Sequence, residues 1–190
     1  MSVRFCEFGE LGTGKTAGCV KEAYRYHINH PNNPIYTNIE LTFCKRGIER
    51  HVDSPKVLFD INEACFLLLD EMWAMADSRK SMSLLNDVMS MLLLRSRKKG
   101  WVVGYSQQWY TQTDIRLRFI TEVWIAPEIK HGWMLREEIM NKHAELLRVR
   151  KYDIRKLYDL YDTYADPFTL NIDDLRDLWD NWRRKHGLVV

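Results

Sequence analysis

The sequence predicts an α/β fold in which helices pack on a central sheet. Two apolar runs, at 64–69 and 101–106, contain few polar residues and are typical of strands that are buried on both faces. Segments with apolar residues at helical spacing lie before and between these runs. Strands that alternate with helices in this way favour a layered α/β arrangement.

Composition and charge are those of an ordinary soluble chain of 190 residues. Hydrophobic residues make up 46% and charged residues 28%. The net charge is only +2, so any contact with nucleic acid must come from local clusters of basic residues. We expect a main domain at 1–150 and a small helical extension at 151–190.

The amino terminus and the cysteines favour an intracellular protein. Arg4 and Glu7 interrupt the first apolar residues, which argues against a signal peptide. The longest apolar runs are too short to span a bilayer. The four cysteines form no C-x-x-C pair, and we expect them to be reduced and packed.

Residues 9–16 match G-x-x-x-x-G-K-[ST], the motif of the phosphate-binding P-loop. Its glycines allow backbone conformations that a Cβ would exclude, so that successive amides can point at an anion. The lysine would reach the β- and γ-phosphates, and the threonine hydroxyl would bind Mg²⁺. The predicted nucleotide-binding residues are Gly9, Gly12, Thr13, Gly14, Lys15 and Thr16, and the last of these is also a predicted metal ligand.

The segments on either side of the loop strengthen this match. Residues 3–8 alternate and end at Gly9, as expected of a strand that leads into the loop. Residues 15–30 have apolar positions near helical spacing, so the positive end of a helix dipole would also face the phosphates. This context argues against a chance match, and we expect the chain to bind a nucleoside triphosphate.

The apolar run at 64–69 ends in two carboxylates, Asp70 and Glu71. In P-loop enzymes an aspartate at a strand end holds Mg²⁺, and a neighbouring glutamate can take a proton from the attacking water. We therefore predict that Asp70 is a metal residue and that Glu71 is the catalytic base. Many strands end in acidic loop residues, so it is the preceding P-loop that favours the functional interpretation.

The second apolar run continues to Gln107, where a strand at 101–107 is predicted to end. A glutamine at that position could orient the attacking water or sense the γ-phosphate. The alternative is an ordinary loop amide without a catalytic role.

Further elements surround these strands, although residues 39–56 show little pattern beyond a candidate short strand at 41–43. The clear patterns are a strand at 34–38, a helix at 81–99, a short helix that carries Arg116 and Arg118, and a strand at 122–126 that Pro127 ends.

The last third of the chain is harder to interpret. Residues 128–151 allow a helix, with Leu135 and Ile139 on one face, whereas the alternation at 147–150 favours a strand with a basic edge. Residues at 152–164 have helical spacing, and a final amphipathic helix is predicted at 173–186.

Two features of this last third bear on binding partners. Candidate contacts to a phosphate backbone are Arg148, Arg150, Lys151 and the cluster 183–185. The apolar stripe of the final helix contains Leu175, Leu178, Trp179 and Trp182. Such a stripe is more typical of a core or a subunit interface than of a base-stacking platform.

Taken in order, the P-loop, the Asp70-Glu71 strand end, and the 106–107 strand end followed by 114–118 resemble the FtsK–HerA superfamily of DNA-pumping ATPases. At this length the chain is most similar to the genome-packaging ATPases of viruses, or to the ATPase part of zonular-occludens-toxin-like phage assembly proteins. The resemblance covers roughly residues 1–130. Residues 161–164 also resemble a Tyr-Asp-Thr element that can follow the core in the toxin-like group.

This resemblance implies a RecA-like P-loop fold, with a mostly parallel sheet between helices, and a ring of identical subunits. It implies ATP hydrolysis, with ATP and Mg²⁺ as cofactors, coupled to the movement of double-stranded DNA. Carried over by motif, the nucleotide and metal residues are Lys15, Thr16 and Asp70, the water-activating residue is Glu71, and the phosphate sensor is Gln107.

An arginine finger would come from the short helix after the second polar strand end. Arg118 is the first candidate, because the related motif usually places its arginine after an apolar residue, and Arg116 is the second. Arg79, Arg95 and Arg97 remain alternatives.

The resemblance also carries expectations about partners and location. The toxin-like assembly proteins usually have a membrane segment after the ATPase part, and the lack of one here favours the packaging motor. Such a motor would meet a capsid or portal-vertex protein. It would work in the cytoplasm of an infected host cell or on the assembling virion.

Three other classes of P-loop protein compete with the motor. A GTPase switch would need an Asn-Lys-x-Asp motif, and the Asn-Lys at 141–142 lacks that aspartate. A small-molecule kinase does not need a water-activating glutamate after the metal aspartate, so Glu71 argues against it. A non-catalytic scaffold would not need the complete set of motifs.

Overall fold

In the part of the chain that is described, one sheet of eight strands forms the centre of the molecule. The computed structural model describes residues 2–44, 47–71, 79–110, 113, 115–163 and 172–187. The strands are β1 (Val3–Phe8), β2 (Ile35–Thr37), β3 (Glu49–His51), β4 (Phe66–Leu69), β5 (Val102–Gln107), β6 (Val123–Lys130), β7 (Met134–Asn141) and β8 (Leu146–Asp153). Their order is β3-β2-β4-β5-β1-β6-β7-β8, and neighbours are parallel except at β6-β7 and β7-β8. The predicted mostly parallel sheet is confirmed.

Helices cover both faces of this sheet. They are α1 (Lys15–Asn29), α2 (Pro55–Asp60), α3 (Arg79–Lys99), α4 (Ile115–Ile120) and α5 (Ile172–Lys185). Phe66 and Leu68 of β4 pack in the apolar cluster that includes α1, and Leu67 and Leu69 pack in the cluster that includes α3. Because residues of a strand alternate between faces, this confirms the prediction of a strand buried on both sides. None of the described helices has the length and apolar character needed to cross a membrane.

Most predicted elements are present near their expected bounds. The helices predicted at 15–30, 81–99 and 173–186 match α1, α3 and α5, and the strands predicted at 3–8, 34–38 and 101–107 match β1, β2 and β5. The poorly patterned region 39–56 contains β3 and the start of α2. Residues 41–43 form no strand, although Leu41 makes an isolated antiparallel bridge with Tyr161.

The prediction that Pro127 ends a strand is wrong, because β6 continues through it. β1 pairs with β6 only from Val123 to Ile125. Among the described residues, that side of β6 therefore has no strand partner at Pro127. A proline lacks a backbone N–H, and it is tolerated in a strand where no neighbour would accept that hydrogen bond.

The helix that 128–151 allows is not formed, and this region is an antiparallel hairpin of β7 and β8. Leu135, Glu137 and Ile139 of β7 are all buried. The buried Glu137 interrupts the apolar alternation and leaves two apolar residues at a helical interval, which is why the sequence pattern is ambiguous. The strand predicted at 147–150 is confirmed within β8.

The chain after the hairpin forms two 3₁₀ turns, Ile154–Lys156 and Tyr158–Leu160, where the spacing at 152–164 predicts a helix. The Asp153 carboxylate accepts a hydrogen bond from the Arg155 amide, and such a local cap favours a short turn. After these turns, α5 packs on α2 and α3. The predicted domain boundary at 150 lies inside β8, and the division into two units stays a prediction.

The four cysteines are free thiols, as predicted. Cys6, Cys19 and Cys65 are buried in the core, whereas Cys44 is partly exposed. Burial raises the pKa of Cys65 and of Cys44 to about 12. Both thiols therefore stay protonated and unreactive near neutral pH.

Candidate nucleotide-binding site

The loop between β1 and α1 is anchored to the neighbouring strand. The Gly9 amide donates to the carbonyl oxygen of Gln107 at 3.2 Å, which ties the start of the loop to the end of β5. Gly12 and Gly14 have φ of 77° and 99°, in the left-handed region that favours glycine. A Cβ on Gly14 would also lie 2.7 Å from Leu135 Cδ1, so β7 packs directly on the loop. The predicted loop residues therefore lie together at the N-terminus of α1.

Lys15 and Thr13 both donate to the carbonyl oxygen of Glu10 within the loop. The Thr13 hydroxyl lies at 2.9 Å and the Lys15 ammonium at 2.8 Å from it. Burial lowers the pKa of Lys15, and the Asp70 and Glu71 carboxylates oppose that shift. A bound phosphate would offer this ammonium a charged partner in place of a neutral carbonyl, and charge-assisted hydrogen bonds are stronger.

Thr16 and Asp70 meet at the loop, as the metal site requires. The Thr16 hydroxyl donates to Asp70 Oδ2 at 2.7 Å. Asp70 is 3% exposed, and its Oδ1 has no hydrogen-bond partner among the described residues. Burial raises the pKa of Asp70, while the hydroxyls of Ser106 and Thr16 and the charge of Lys15 oppose the shift. A hydroxyl and an unsatisfied carboxylate oxygen fit Mg²⁺, which takes few protein oxygens and completes its shell with phosphates and water.

The backbone at Asp70 is held by Asn38, a residue that the motifs do not identify. Asn38 Nδ2 donates to the Asp70 carbonyl oxygen at 2.8 Å, and the Asp70 amide donates to Asn38 Oδ1 at 2.7 Å. Both residues are buried. Asn38 follows β2, which lies next to β4 in the sheet. The signal that could have found it is a polar residue at the end of a strand beside the strand of the metal aspartate.

Glu71 starts the turn after β4 in a conformation that is uncommon for a residue with a side chain. Its φ is 47°. Its amide donates to Ser106 Oγ at 2.7 Å, so β5 holds this turn on the side opposite Asn38. Backbone strain of this kind costs on the order of 1–3 kcal/mol and persists where neighbouring groups enforce it. Glu71 is half-buried, so solvent reaches the residue beside the buried Asp70.

Gln107 ends β5 opposite Phe8, the last residue before the loop. Its side chain is buried, and Oε1 has no hydrogen-bond partner among the described residues. An unsatisfied buried amide oxygen is costly, and a water or ligand donor would relieve that cost. The predicted sensor residue therefore lies beside the loop with an oxygen that can accept a hydrogen bond.

Several solved structures share the fold of this chain. Neither a protein-family profile nor a curated protein sequence matches it. The N-terminal domain of zonular occludens toxin from Neisseria meningitidis has 17% identity and a TM-score of 0.56, over 85% of this chain and 100% of that one. An ATPase domain has 10% identity and a TM-score of 0.54, over 83% and 84%. A KaiC-like protein from Pyrococcus horikoshii has 13% identity and a TM-score of 0.50, over 78% and 84%.

The chain has a RecA-like P-loop ATPase fold. This confirms the predicted fold class and extends it over most of the chain. At these identities the likeness concerns the fold alone, and the roles of the individual site residues stay predictions.

Within the RecA-like fold, the two predicted finger residues lie on α4 and contact different neighbours. The Arg118 guanidinium lies over the Tyr110 ring, 5.4 Å from its centroid. Arg116 forms an ion pair with Asp87 of α3. Neither of these contacts is with a residue of the P-loop, and the finger role stays a prediction.

The basic residues of β8 do not form one surface. Arg150 is half-buried and donates to the Glu22 carboxylate of α1 at 2.7 Å. Lys151 is exposed and lies on the other face of the sheet, because successive strand residues alternate. Only Arg148 is both exposed and on the side of Arg150. The structure therefore does not bring these three residues together as one phosphate-binding track.

A cluster of buried charges lies between α1 and the sheet, and no sequence pattern reveals it. Glu7 of β1, Lys21 of α1 and Glu137 of β7 are at most 3% exposed. Lys21 and Glu137 form an ion pair, whereas neither carboxylate oxygen of Glu7 has a partner among the described residues. Burial and the nearby Glu137 raise the pKa of Glu7 well above its ordinary value. A Cβ on Gly18 would lie 2.6 Å from the Glu7 carboxylate, so α1 makes room for this side chain.

Proposed function

We propose that this chain is a Mg²⁺-dependent ATPase. The observation that carries the proposal is the hydrogen bond between Thr16 and Asp70, which joins the P-loop to the end of β4. The bond between Gly9 and Gln107 joins the same loop to the end of β5. In open α/β sheets, ligands bind outside the carboxyl ends of the strands, and these groups all lie at that edge.

In the proposed reaction each residue has a separate task. Lys15 and the loop amides would hold the phosphates, while Thr16 and Asp70 would hold Mg²⁺, which neutralises phosphate charge when bound. Glu71 would accept a proton from the attacking water, and Gln107 would orient that water. The bond from the Glu71 amide to Ser106 fixes the turn from which the glutamate side chain projects.

We further propose that ATP hydrolysis drives the movement of double-stranded DNA during the assembly of a virus or phage particle. The order of the motifs along the sequence supports this, because it resembles that of DNA-pumping ATPases. The fold shared with the N-terminal domain of zonular occludens toxin, over 100% of that domain, agrees with the toxin-like group that the motifs resemble. The motor would be a ring of identical subunits, in which Arg118 or Arg116 reaches the phosphates of a neighbour.

The test is ATP turnover by the purified chain with Mg²⁺, alone and with double-stranded or single-stranded DNA. We expect turnover that Lys15→Ala abolishes, with Lys142→Ala, an exposed lysine outside the loop, as the matched control. Normal turnover in folded Lys15→Ala would contradict the ATPase. Stimulation by double-stranded DNA would support the motor, whereas turnover that no DNA changes would contradict the motor and leave the ATPase standing.

A further inference from the structure

Helices α3 and α5 line a groove of about 550 Å³, and its described lining includes no residue of the P-loop. On α3 its wall runs from Asp87 to Lys98, and on α5 from Trp179 to Arg183. The twelve residues from Asp87 to Lys98 span about 16 Å, or three turns of helix. Along α3 the groove therefore has the length of a short helix, and Arg116 of α4 also lines it.

The floor of the groove is apolar. Leu94 of α3 lies in it and is 61% exposed, beside the buried Met91. Trp179 and Trp182 of α5 complete the floor and are half-buried. A partner that covers Leu94 would remove its exposed apolar surface from water and gain affinity from that burial.

The rim of the groove is cationic. Among the described residues that line it, the positively charged ones are Arg95, Lys98, Arg116 and Arg183. The carboxylate among them belongs to Asp87, which is in an ion pair with Arg116. This excess of positive charge favours a partner with acidic side chains on either side of its apolar contact.

We propose that this groove is a docking site for an amphipathic helix of a partner protein, with leucine-type residues on one face and acidic residues beside them. Two helices side by side present ridges and grooves into which the side chains of a third helix fit. Recognition of this kind uses apolar anchors at helical spacing, and the three-turn length of the groove matches it.

The stacking of the tryptophans argues against single-stranded nucleic acid as the occupant. Trp182 stacks on Trp179 at 5.4 Å between ring centroids and on His186 at 4.4 Å. The Trp182 indole therefore already stacks on one neighbour within α5 and on another just after it. A base that stacks on a protein needs an open aromatic face, and these stacking contacts already occupy part of the Trp182 ring surface.

The experiment measures binding of a fluorescent peptide by anisotropy. The probe has about 15 residues, with leucines at helical spacing and glutamates at the other positions, and its control has the same composition in strict alternation. The two protein variants are Leu94→Glu and Leu146→Glu, the latter an exposed leucine (58%) on β8 and therefore a matched control. A second pair of variants tests the charge of the rim. Lys98→Glu changes an exposed lysine of the groove, and Lys151→Glu changes an exposed lysine of β8 outside it.

We expect saturable binding of the helical probe that Leu94→Glu weakens by at least about tenfold, with Leu146→Glu within about twofold of the unmodified chain. Lys98→Glu should also weaken binding, and Lys151→Glu should not. ATP turnover should be the same in Leu94→Glu and the unmodified chain, which separates this site from the nucleotide site. No binding at millimolar peptide, equal effects of the two leucine variants, or binding of the alternating peptide alone would overturn the proposal. Binding of a single-stranded oligonucleotide that the Leu94→Glu substitution abolishes would also overturn the proposal, in favour of nucleic acid as the occupant.

Discussion

Replacing Asn38 with alanine should destabilise the candidate metal site without removing a residue predicted to touch nucleotide. Its side chain makes two hydrogen bonds to the backbone of Asp70, at 2.7 and 2.8 Å, in buried surroundings. Alanine would leave the Asp70 amide and carbonyl without partners, and each unpaired buried group costs about 1–3 kcal/mol. We therefore expect the free energy of unfolding to fall by about 2–6 kcal/mol before the structure relaxes. A typical domain has about 5–15 kcal/mol, so a loss near the lower end of the expected fall leaves most of the variant folded.

The functional part of this prediction is a change in Mg²⁺ dependence. An Asp70 that is no longer fixed would hold the metal less well, so half-maximal ATP turnover should require more Mg²⁺ at saturating ATP. Destabilisation alone would lower turnover equally at every Mg²⁺ concentration. The control is Asn62→Ala, an exposed asparagine whose amide donates only to the nearby Asp60 carbonyl oxygen, at 2.9 Å. An Asn38→Ala chain with the stability and Mg²⁺ dependence of Asn62→Ala would refute this reasoning.

Two further substitutions test the surroundings of the loop. Because the pKa of Glu7 is raised, the folded chain keeps a proton that the unfolded chain releases between the ordinary and the raised pKa. In that pH range Glu7 lowers the free energy of unfolding as pH rises, by up to about 1.4 kcal/mol per pH unit. Glu7→Gln should remove this fall in stability, measured by urea unfolding as pH rises above the ordinary glutamate pKa, and an unfolding profile parallel to that of the exposed Glu10→Gln would contradict it. Gly14→Ala should lower stability by about 1–3 kcal/mol more than Gly12→Ala. Both substitutions place a side chain on a left-handed residue, but only the alanine at position 14 would also meet Leu135. Equal losses of stability would be evidence against that contact.

The candidate nucleotide-binding loop is predictable from the sequence because its chemistry is local. Residues 9–16 carry their own glycines, ammonium and hydroxyl, and the turn forms between a strand and a helix that are adjacent in the chain. Asp70 and Glu71 are predictable because a strand buried on both faces leaves a continuous apolar run before them. The main helices are predictable from apolar residues at helical spacing, whereas the mostly parallel sheet is expected from the family resemblance.

Contacts between distant segments are not predictable in this way. Asn38 contacts Asp70 only because β2 and β4 are neighbours in the sheet, and no local sequence pattern specifies the order of the strands. Glu137 resembles a surface residue in the sequence, yet it is buried against Lys21, which lies 116 positions away. Arg150 likewise looks available for phosphate until its pairing with Glu22 is seen. In each case the partner that compensates for the loss of contact with water comes from another strand or helix.

Comparing bound ATP with hydrolysed ATP in Glu71→Gln tests the proposed ATPase most directly. The amide keeps the size of the side chain and removes its capacity to accept a proton from water. The control, Glu10→Gln, changes an exposed glutamate of the loop whose bonds to Lys15 and Thr13 use only its backbone carbonyl. We predict that Glu71→Gln binds ATP as the unmodified chain does and turns it over at least about a hundredfold more slowly. Glu10→Gln should do both normally, and a folded Glu71→Gln chain with normal turnover would contradict the assignment of Glu71 as the base.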